Sequence, residues 1–406
     1  MIAEEKGERA IINHCDGWRY LVEQNGSIYL DYAATTPLDS EVLDAMLPYF
    51  QENFGNPSSI HRFGQRAEAA LEQARETVAT ALNARASEIL FTSGGTEGDN
   101  LALRGAALAM RKKNGAQRIL ISPVEHHAVL HTAQQLASDY DFKLDFLPVD
   151  RYGQVDPEDV EASLRADTAV VSVVYANNEI GTINPIAEIG KVCRQRNVPF
   201  HTDAVQAAAH LKMDVEADQV NFLAVGAHKF YGPKGVGALY VRRGMKILPT
   251  QTGGGQENGF RAGTQNIPYI IGLAESLRKA QLGLDARREY FTQLRDRIIA
   301  GVTASIPRAN LTGHPTQRLP NHASFVFEGV DGNALLMMLD LEGFACSSGS
   351  ACRVGTPKPS EVLLAAGYSK NWALGSLRIT VGHDSTPEHV ERFLDVLPRL
   401  VEKARS

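Results

Sequence analysis

The stretch Phe222-Leu-Ala-Val-Gly-Ala-His-Lys-Phe-Tyr-Gly-Pro-Lys-Gly-Val-Gly237 decides how this chain is to be read. It opens as an apolar run of strand length and passes directly into a glycine-rich loop. Lys229 falls at that junction, an awkward place for a lysine that needs only water. A free lysine amine has a pKa of ~10.4, so a nucleophilic one needs desolvation or a neighbouring cation to lower it. Lys234, between Pro233 and Gly235, reads as a turn residue at the surface.

Upstream, the same kind of short apolar run recurs. Glu88-Ile-Leu-Phe-Thr92, Arg118-Ile-Leu-Ile-Ser122, Ala169-Val-Val-Ser-Val-Val-Tyr-Ala176 and Val198-Pro-Phe-His-Thr202 read as strands, with helical patterns between them. The Ala-rich stretch 66–82 is one of those helices, and another begins at Glu97. Strands alternating with helices predict an α/β fold with a mainly parallel sheet covered on both faces. A long helical stretch over 268–302 follows, after which the pattern changes. Ala323-Ser-Phe-Val-Phe327 and Leu377-Arg-Ile-Thr-Val381 read as strands, and a last helix spans about 387–404, which together predict a smaller α+β unit. We expect a large domain over 39–285, with 1–38 and 286–406 forming the small one.

The 406 residues carry 41 basic and 47 acidic side chains, a net charge of −6. That balance argues against broad contact with nucleic acid or anionic lipid. No apolar run nears the ~18–20 residues of a membrane span, and the polar start Met1-Ile-Ala-Glu-Glu-Lys lacks the apolar centre of a signal peptide. Four cysteines (Cys15, Cys193, Cys346 and Cys352) are too few for a disulfide framework in a chain this long. The expectation is a cytoplasmic protein with reduced thiols, bound directly to neither nucleic acid nor membrane.

Polar residues gather just after several of the strands, where ligands bind in open α/β sheets. Ser93-Gly-Gly-Thr-Glu97 turns from strand to helix; it suits an anion at the helix start or, more plainly, uses Thr96 as an N-cap. Val124-Glu-His-His127 places two histidines at a strand end, as helix caps, solvent-facing groups or ligand contacts. Asn177-Asn-Glu-Ile-Gly181 orients a ligand or makes a turn. Asp203 follows an apolar segment, the position of an N-cap or of a partner for a buried cation. No dinucleotide or P-loop fingerprint is present.

Taken together, Asp31-Tyr-Ala-Ala-Thr-Thr-Pro37, Phe54-Gly-Asn-Pro-Ser58, Phe91-Thr-Ser-Gly-Gly-Thr-Glu97, Asn177-Asn-Glu-Ile-Gly181, His228-Lys-Phe-Tyr-Gly-Pro-Lys-Gly235 and Ser347-Ser-Gly-Ser-Ala-Cys352 resemble the NifS-like cysteine desulfurases. These are pyridoxal 5′-phosphate (PLP) enzymes of fold type I in the class V aminotransferase group. The resemblance runs in order from about Tyr29 to Val401. It implies a seven-stranded sheet in the large domain and PLP attached to Lys229. Asp203 would pair with the pyridinium nitrogen, keeping the ring an electron sink. Gln206 would bond the phenolic oxygen, and His126 would stack on the ring and move protons. Gly95, Thr96 and His228 would hold the phosphate, and Thr264 would reach the phosphate of a neighbouring subunit in a homodimer. Asn178 and Arg378 would hold the carboxylate of L-cysteine, the planar guanidinium suiting it. The family usually has a serine where this chain has Gly226, so somewhat weaker cofactor binding is expected.

In Cys346-Ser-Ser-Gly-Ser-Ala-Cys352-Arg353, small residues and later prolines make a long loop over about 346–359. Cys352 matches the family's nucleophile, and the charge of Arg353 would lower its pKa. Cys346, at the end of an apolar strand, reads as core, with a relay thiol as the alternative; Cys15 and Cys193 read as structural. The implied reaction converts L-cysteine to L-alanine and leaves sulfur on Cys352 as a persulfide for an acceptor protein. Iron–sulfur cluster assembly, tRNA thiolation and DNA sulfur modification all fit that first half-reaction. A selenocysteine lyase or aminotransferase of the same fold is the alternative; it would keep Lys229 and Asp203 without needing Cys352.

Overall fold

The computed structural model describes residues 26–349 and 358–405. The strands, in chain order, are β1 (Ile28–Tyr29), β2 (Ile89–Thr92), β3 (Arg118–Ile121), β4 (Lys143–Phe146), β5 (Thr168–Ser172), β6 (Phe200–Asp203), β7 (Phe222–Gly226), β8 (Gly237–Val241), β9 (Ala309–Leu311), β10 (His322–Phe327), β11 (Phe344–Ala345) and β12 (Ser376–Thr380). The helices of ten residues or more are α1 (Arg62–Ala81), α2 (Gly95–Asn114), α3 (His127–Tyr140), α4 (Ile186–Gln195), α5 (Ile267–Gln281), α6 (Leu284–Ser305), α7 (Gly332–Leu341) and α8 (Pro387–Ala404).

Seven strands form one sheet in the order β2-β8-β7-β6-β5-β3-β4. All of them run parallel except β8, which is antiparallel to both its neighbours. β5, β6 and β7 are buried along their whole length, as strands covered by helices on both faces must be. The mainly parallel α/β fold expected from the sequence is thus present. β8 and β4 went unread. β8 begins as the end of the glycine-rich loop, and β4 is a half-exposed edge with little apolar signal.

The reversal at β8 is what shapes the site. Gly237 pairs with Thr92 at the end of β2 and with Gly226 at the end of β7, so those two ends lie on either side of one residue. A Cβ at 237 would stand 2.5 Å from the Val225 carbonyl oxygen and 2.6 Å from the Gly94 carbonyl carbon, so only glycine fits there.

The helical stretch read over 268–302 is two helices, α5 and α6, not one. Gly283 between them has φ +62, a left-handed turn that ends one axis and starts another. Beyond α6, β12, β10 and β9 make a separate antiparallel sheet, and β1 pairs with β11 in a two-stranded piece. Ile28 and Leu30 are buried with Phe291, Phe325, Phe344 and Leu397 in the core of this second sheet. Among the described residues, no helix is long and apolar enough to cross a membrane.

One buried ion pair fastens the segment leading to Thr264 onto the sheet. Arg75 of α1 donates Nη1 and Nη2 to Glu257 at 2.7 and 3.0 Å, and the Phe91 N–H donates to the same carboxylate at 2.9 Å. The Glu257 side chain is 1% exposed. Arg75→Ala leaves that carboxylate buried without its cation and should cost about 3–5 kcal/mol of stability, read by equilibrium urea unfolding. The apolar double variant Arg75→Met/Glu257→Leu should recover most of the loss; equal losses in the two would show that packing, not the stranded charge, is responsible.

Candidate active site

At the end of β7 the chain makes a single 3₁₀ turn, Ala227–Lys229, before doubling back into β8. The Lys229 amine turns toward the segment that follows β1 and donates to the carbonyls of Ala33 and Ala34, both at 2.7 Å. Burial lowers its pKa to about 8, helped by the nearby Arg378 charge and opposed by Asp203 and Asp31. Gln206 donates to the Ala33 carbonyl at 2.8 Å, and the His228 carbonyl accepts from the Thr36 N–H at 2.9 Å. His228 Nδ1 lies 3.2 Å from Thr35 Oγ1.

Asp203 ends β6, and its Oδ1 accepts from the Val205 N–H at 2.9 Å. Burial raises its pKa, while the charges of His126 and Lys229 favour the anion. His126 is the N-cap of α3, its Nδ1 accepting from the Ala128 N–H at 3.1 Å. The capping alternative from the sequence therefore holds, yet the ring also meets Asp203. Desolvation lowers the His126 pKa against the pull of Asp203.

Behind this pair lie groups that sequence reasoning missed. One polar atom each of Asp99, His126 and Asp203 falls within a 4.8 Å span. Two full negative charges at that separation repel by about 3 kcal/mol at an effective dielectric of ~20. Burial and the neighbouring carboxylates drive the Asp99 and Glu125 pKa values well up. The available signal was an acid within an apolar helical stretch: Asp99 stands just before Leu101, Ala102 and Leu103, all buried.

The turn from β2 into α2 is built for close approach. Gly94 is the N-cap with φ +156, a backbone that a side chain disfavours, and the helix begins at Gly95, so Thr96 lies in the first turn and is not the cap. Thr96 is exposed. Glu97 folds back to accept from the Ser93 N–H at 2.6 Å and pairs with Arg261 at 2.8 Å. That pair brings the Arg261-to-Thr264 segment to the rim, with Thr264 exposed. A Cβ on Gly226 would lie 3.3 Å from the Gly95 nitrogen, so a side chain at 226 would start beside the same helix terminus.

On the other wall, Arg378 of β12 is 6% exposed; Nη1 donates to the Asn178 carbonyl at 3.0 Å and Nη2 to Asp31 at 2.8 Å. Asp31 also accepts from Ser347 Oγ at 2.7 Å. Asn177 is a turn-maker, its Oδ1 accepting from the Glu179 and Ile180 N–H groups at 2.8 and 2.9 Å. Glu179 accepts from Ser360 Oγ at 2.5 Å, and burial lifts its pKa to about 7. Thus Ser347 and Ser360, on either side of 350–357, are both fastened to the edge of the cleft. Cys352 and Arg353, and likewise Cys15, lie outside the described residues. Cys346 packs against the second core, and burial beside Asp31 raises its thiol pKa. Cys193 is buried in α4, its thiol pushed up to about 12.

The structure therefore gathers Lys229, Asp203, His126, Gln206, His228 and Arg378 around one cleft at the carboxyl ends of the strands. The aminotransferase class-V family matches residues 28–393. The chain belongs to that family, whose cofactor is PLP. A "Cysteine desulfurase IscS" of Methanosarcina thermophila is 46% identical over 395 residues, covering 97% of this chain and 96% of the relative. A solved "NifS-like protein" superposes with TM-score 0.86 at 35% identity, over 93% of this chain and all of that one. "SspA in complex with cysteine" superposes with TM-score 0.76 at 34% identity, over 87% of this chain and 98% of its own. Within the family, the chain is a cysteine desulfurase. The donor set fits the cofactor: a helix start opened by two glycines for a phosphate, a buried acid for a ring nitrogen, and an amine for an aldehyde.

The lowered Lys229 pKa has a direct consequence. In cofactor-free protein, labelling of Lys229 by an amine-specific reagent should rise with a midpoint near pH 8, read by peptide mass spectrometry across pH. Between that midpoint and the ordinary ~10.4, the unfolded chain holds a proton here that the folded chain has released, so this group makes stability rise with pH over that window. A labelling midpoint near 10 would show the amine to be fully hydrated.

Proposed function

We infer that the chain converts L-cysteine to L-alanine, takes the sulfur onto Cys352 as a persulfide and passes it to an acceptor protein. The observation that carries this reading is the buried Lys229 amine, held at the end of β7 in a cleft that also presents Asp203 and Arg378. The Lys229 amine would hold PLP, which would supply an electron sink for the substrate's α-carbon.

Each side chain then has a task set by its place. Arg378 and Asn178 hold the substrate carboxylate, with the guanidinium turning part of its fork from Asp31 to the ligand. Asp203 holds a negative charge against the ring nitrogen, while Gln206 orients the ring's oxygen. His126 would move a proton, and its lowered pKa keeps it a neutral base. Gly95, Thr96 and His228 receive the phosphate, together with Thr264 from the second subunit of a homodimer. The Cys352 thiolate attacks the substrate sulfur; an S–S bond forms, the C–S bond breaks with its electron pair left on carbon, and a proton on that carbon completes alanine. No external oxidant is required.

Residues 39–285 form the cofactor-binding domain. Residues 1–38 and 286–406 form the small domain that carries the cysteine segment, tethered at Ser347 and Ser360. The protein works in the cytoplasm without direct nucleic-acid or membrane contact.

Borohydride reduction followed by peptide mapping should find a pyridoxyl group on Lys229, and an unmodified Lys229 would overturn the assignment. Cys352→Ala should abolish alanine and persulfide formation while the visible absorbance of the cofactor survives. Arg378→Lys should raise KM for cysteine on the order of tenfold or more with a smaller effect on kcat. A fall in kcat at unchanged KM would place the guanidinium elsewhere in the reaction.

A further inference from the structure

The wall behind Asp203 contains more acid than the cleft in front of it can neutralise. Asp99 on α2 is 1% exposed and Glu125, just beyond β3, is 4% exposed. Glu125 Oε1 accepts from the Val174 N–H at 2.7 Å, while Oε2 is buried with no hydrogen-bond partner. Asp99 Oδ1 lies 3.3 Å from His201 Nε2, in contact though not aligned as a hydrogen bond, and His201 is fully buried. The other ring nitrogen of His201 meets Ser172 Oγ at 2.9 Å. The charged groups facing this cluster are Asp203 and His201 on β6, His126 at the start of α3 and Lys229 after β7. Both cations among them, His126 when protonated and Lys229, favour the charged form of Asp203.

We propose that Asp99 and Glu125 are kept as neutral, protonated acids behind Asp203, so that Asp203 is the single carboxylate charge of the cluster, and that Asp99 is a positioning residue acting through His201. The idea that Asp203 faces the cofactor nitrogen comes from the functional reading above; the protonation of Asp99 and Glu125 is a separate claim about the chain alone. A carboxylic acid at Asp99 can donate to His201 Nε2, leaving the Nδ1 hydrogen for Ser172. A carboxylate there would instead face Asp203 across less than 5 Å of dry protein. Burial lowers the His201 pKa to about 3, which disfavours an Asp99–imidazolium ion pair. Protonation takes the charge off Glu125, so its buried Oε2, which meets no cation or donor, is not left as an unpaired anion. With both neighbours neutral, the one proton-free acid is Asp203, beside His126 and Lys229.

Infrared difference spectroscopy of the full-length protein, with and without cofactor at neutral pH, tests this directly. The wild type should show carbonyl bands of protonated carboxyl groups; Asp99→Asn should remove one and Glu125→Gln another. If neither substitution removes such a band, the acids are ionised and the proposal is overturned, the Asp99–imidazolium pair being the state that would then remain. The positioning role is read from the nitrogen resonance of ¹⁵N-labelled cofactor in the holoenzyme. Asp99→Leu should displace it, and Asp99→Asn, whose amide still donates to His201, should restore the wild-type position. Equal displacement by both would overturn the positioning role. Near-UV circular dichroism checks that each variant is folded, and because Asp99→Asn keeps size and shape, the infrared result stands even if Asp99→Leu fails to fold. A wild-type nitrogen that is unprotonated would overturn the Asp203–cofactor pairing while leaving the infrared outcome, and the claim about Asp99 and Glu125, to be judged separately.

Discussion

The site depends on six residues running from Asp31 to Thr36. This segment follows β1, in the second core, and crosses to the end of β7 in the large sheet. Its carbonyls at 33 and 34 hold the Lys229 amine, Ala33 also receives Gln206, and Asp31 holds Arg378. Thr380 of β12 accepts from the Ala33 N–H at 2.9 Å, so the same backbone is pinned from both sides. An amine at the end of one sheet and a guanidinium on another could drift by the thickness of a side chain. With one backbone segment, turned at 31–34, bonded to both, their spacing is fixed by backbone geometry, which is stiffer than any pair of long side chains.

That arrangement concentrates polar groups where water is scarce, and burial is the first cause of nearly every shifted group in the cleft. Lys229 and His126 move down, while Asp203, Asp99, Glu125 and Glu179 move up. The downward shifts of Lys229 and His126 run in the direction chemistry needs, giving an amine and an imidazole that are bases nearer neutral pH. The burial of Asp203 is opposed by the charges of those same two groups. The cost is carried by the apolar mass around them, chiefly β5, β6 and β7, which are buried throughout. Stability and site chemistry are therefore supplied by different layers of the same sheet.

Much of this was legible because strand ends and ligand positions coincide in parallel sheets. A lysine three residues after Phe222-Leu-Ala-Val-Gly226 needed only the continuous apolar run and the glycines beyond it. Asp203 and His126 were legible as polar residues at strand ends, although cap and ligand readings could not be separated there; His126 turns out to be a cap that also meets Asp203. What escaped depends on contacts distant in sequence. Asp99 looks like one polar residue in a helix until β6 brings His201 against it. Asp31 gives no sign of its role, since Arg378 lies 347 positions away. The break at Gly283 escaped because helix-forming residues continue on both sides of it; a single positive φ separates the two helices.

Cys346 shows how environment assigns chemistry to a residue type. Cys346 is packed against the second core next to Asp31, and both burial and that negative charge oppose the thiolate. A sulfur-accepting nucleophile must be a thiolate, so the very contacts that make Cys346 a good core residue disqualify it. Cys352 follows in a run of Ser, Gly and Ala, with Arg353 next in sequence. The flanking residues Ser347 and Ser360 are tied to Asp31 and Glu179. Those two acids flank Arg378, which donates to Asp31 itself and to the Asn178 carbonyl next to Glu179. The two ends of that stretch, Ser347 and Ser360, are thus held beside Arg378, whereas Cys346 is committed to the core.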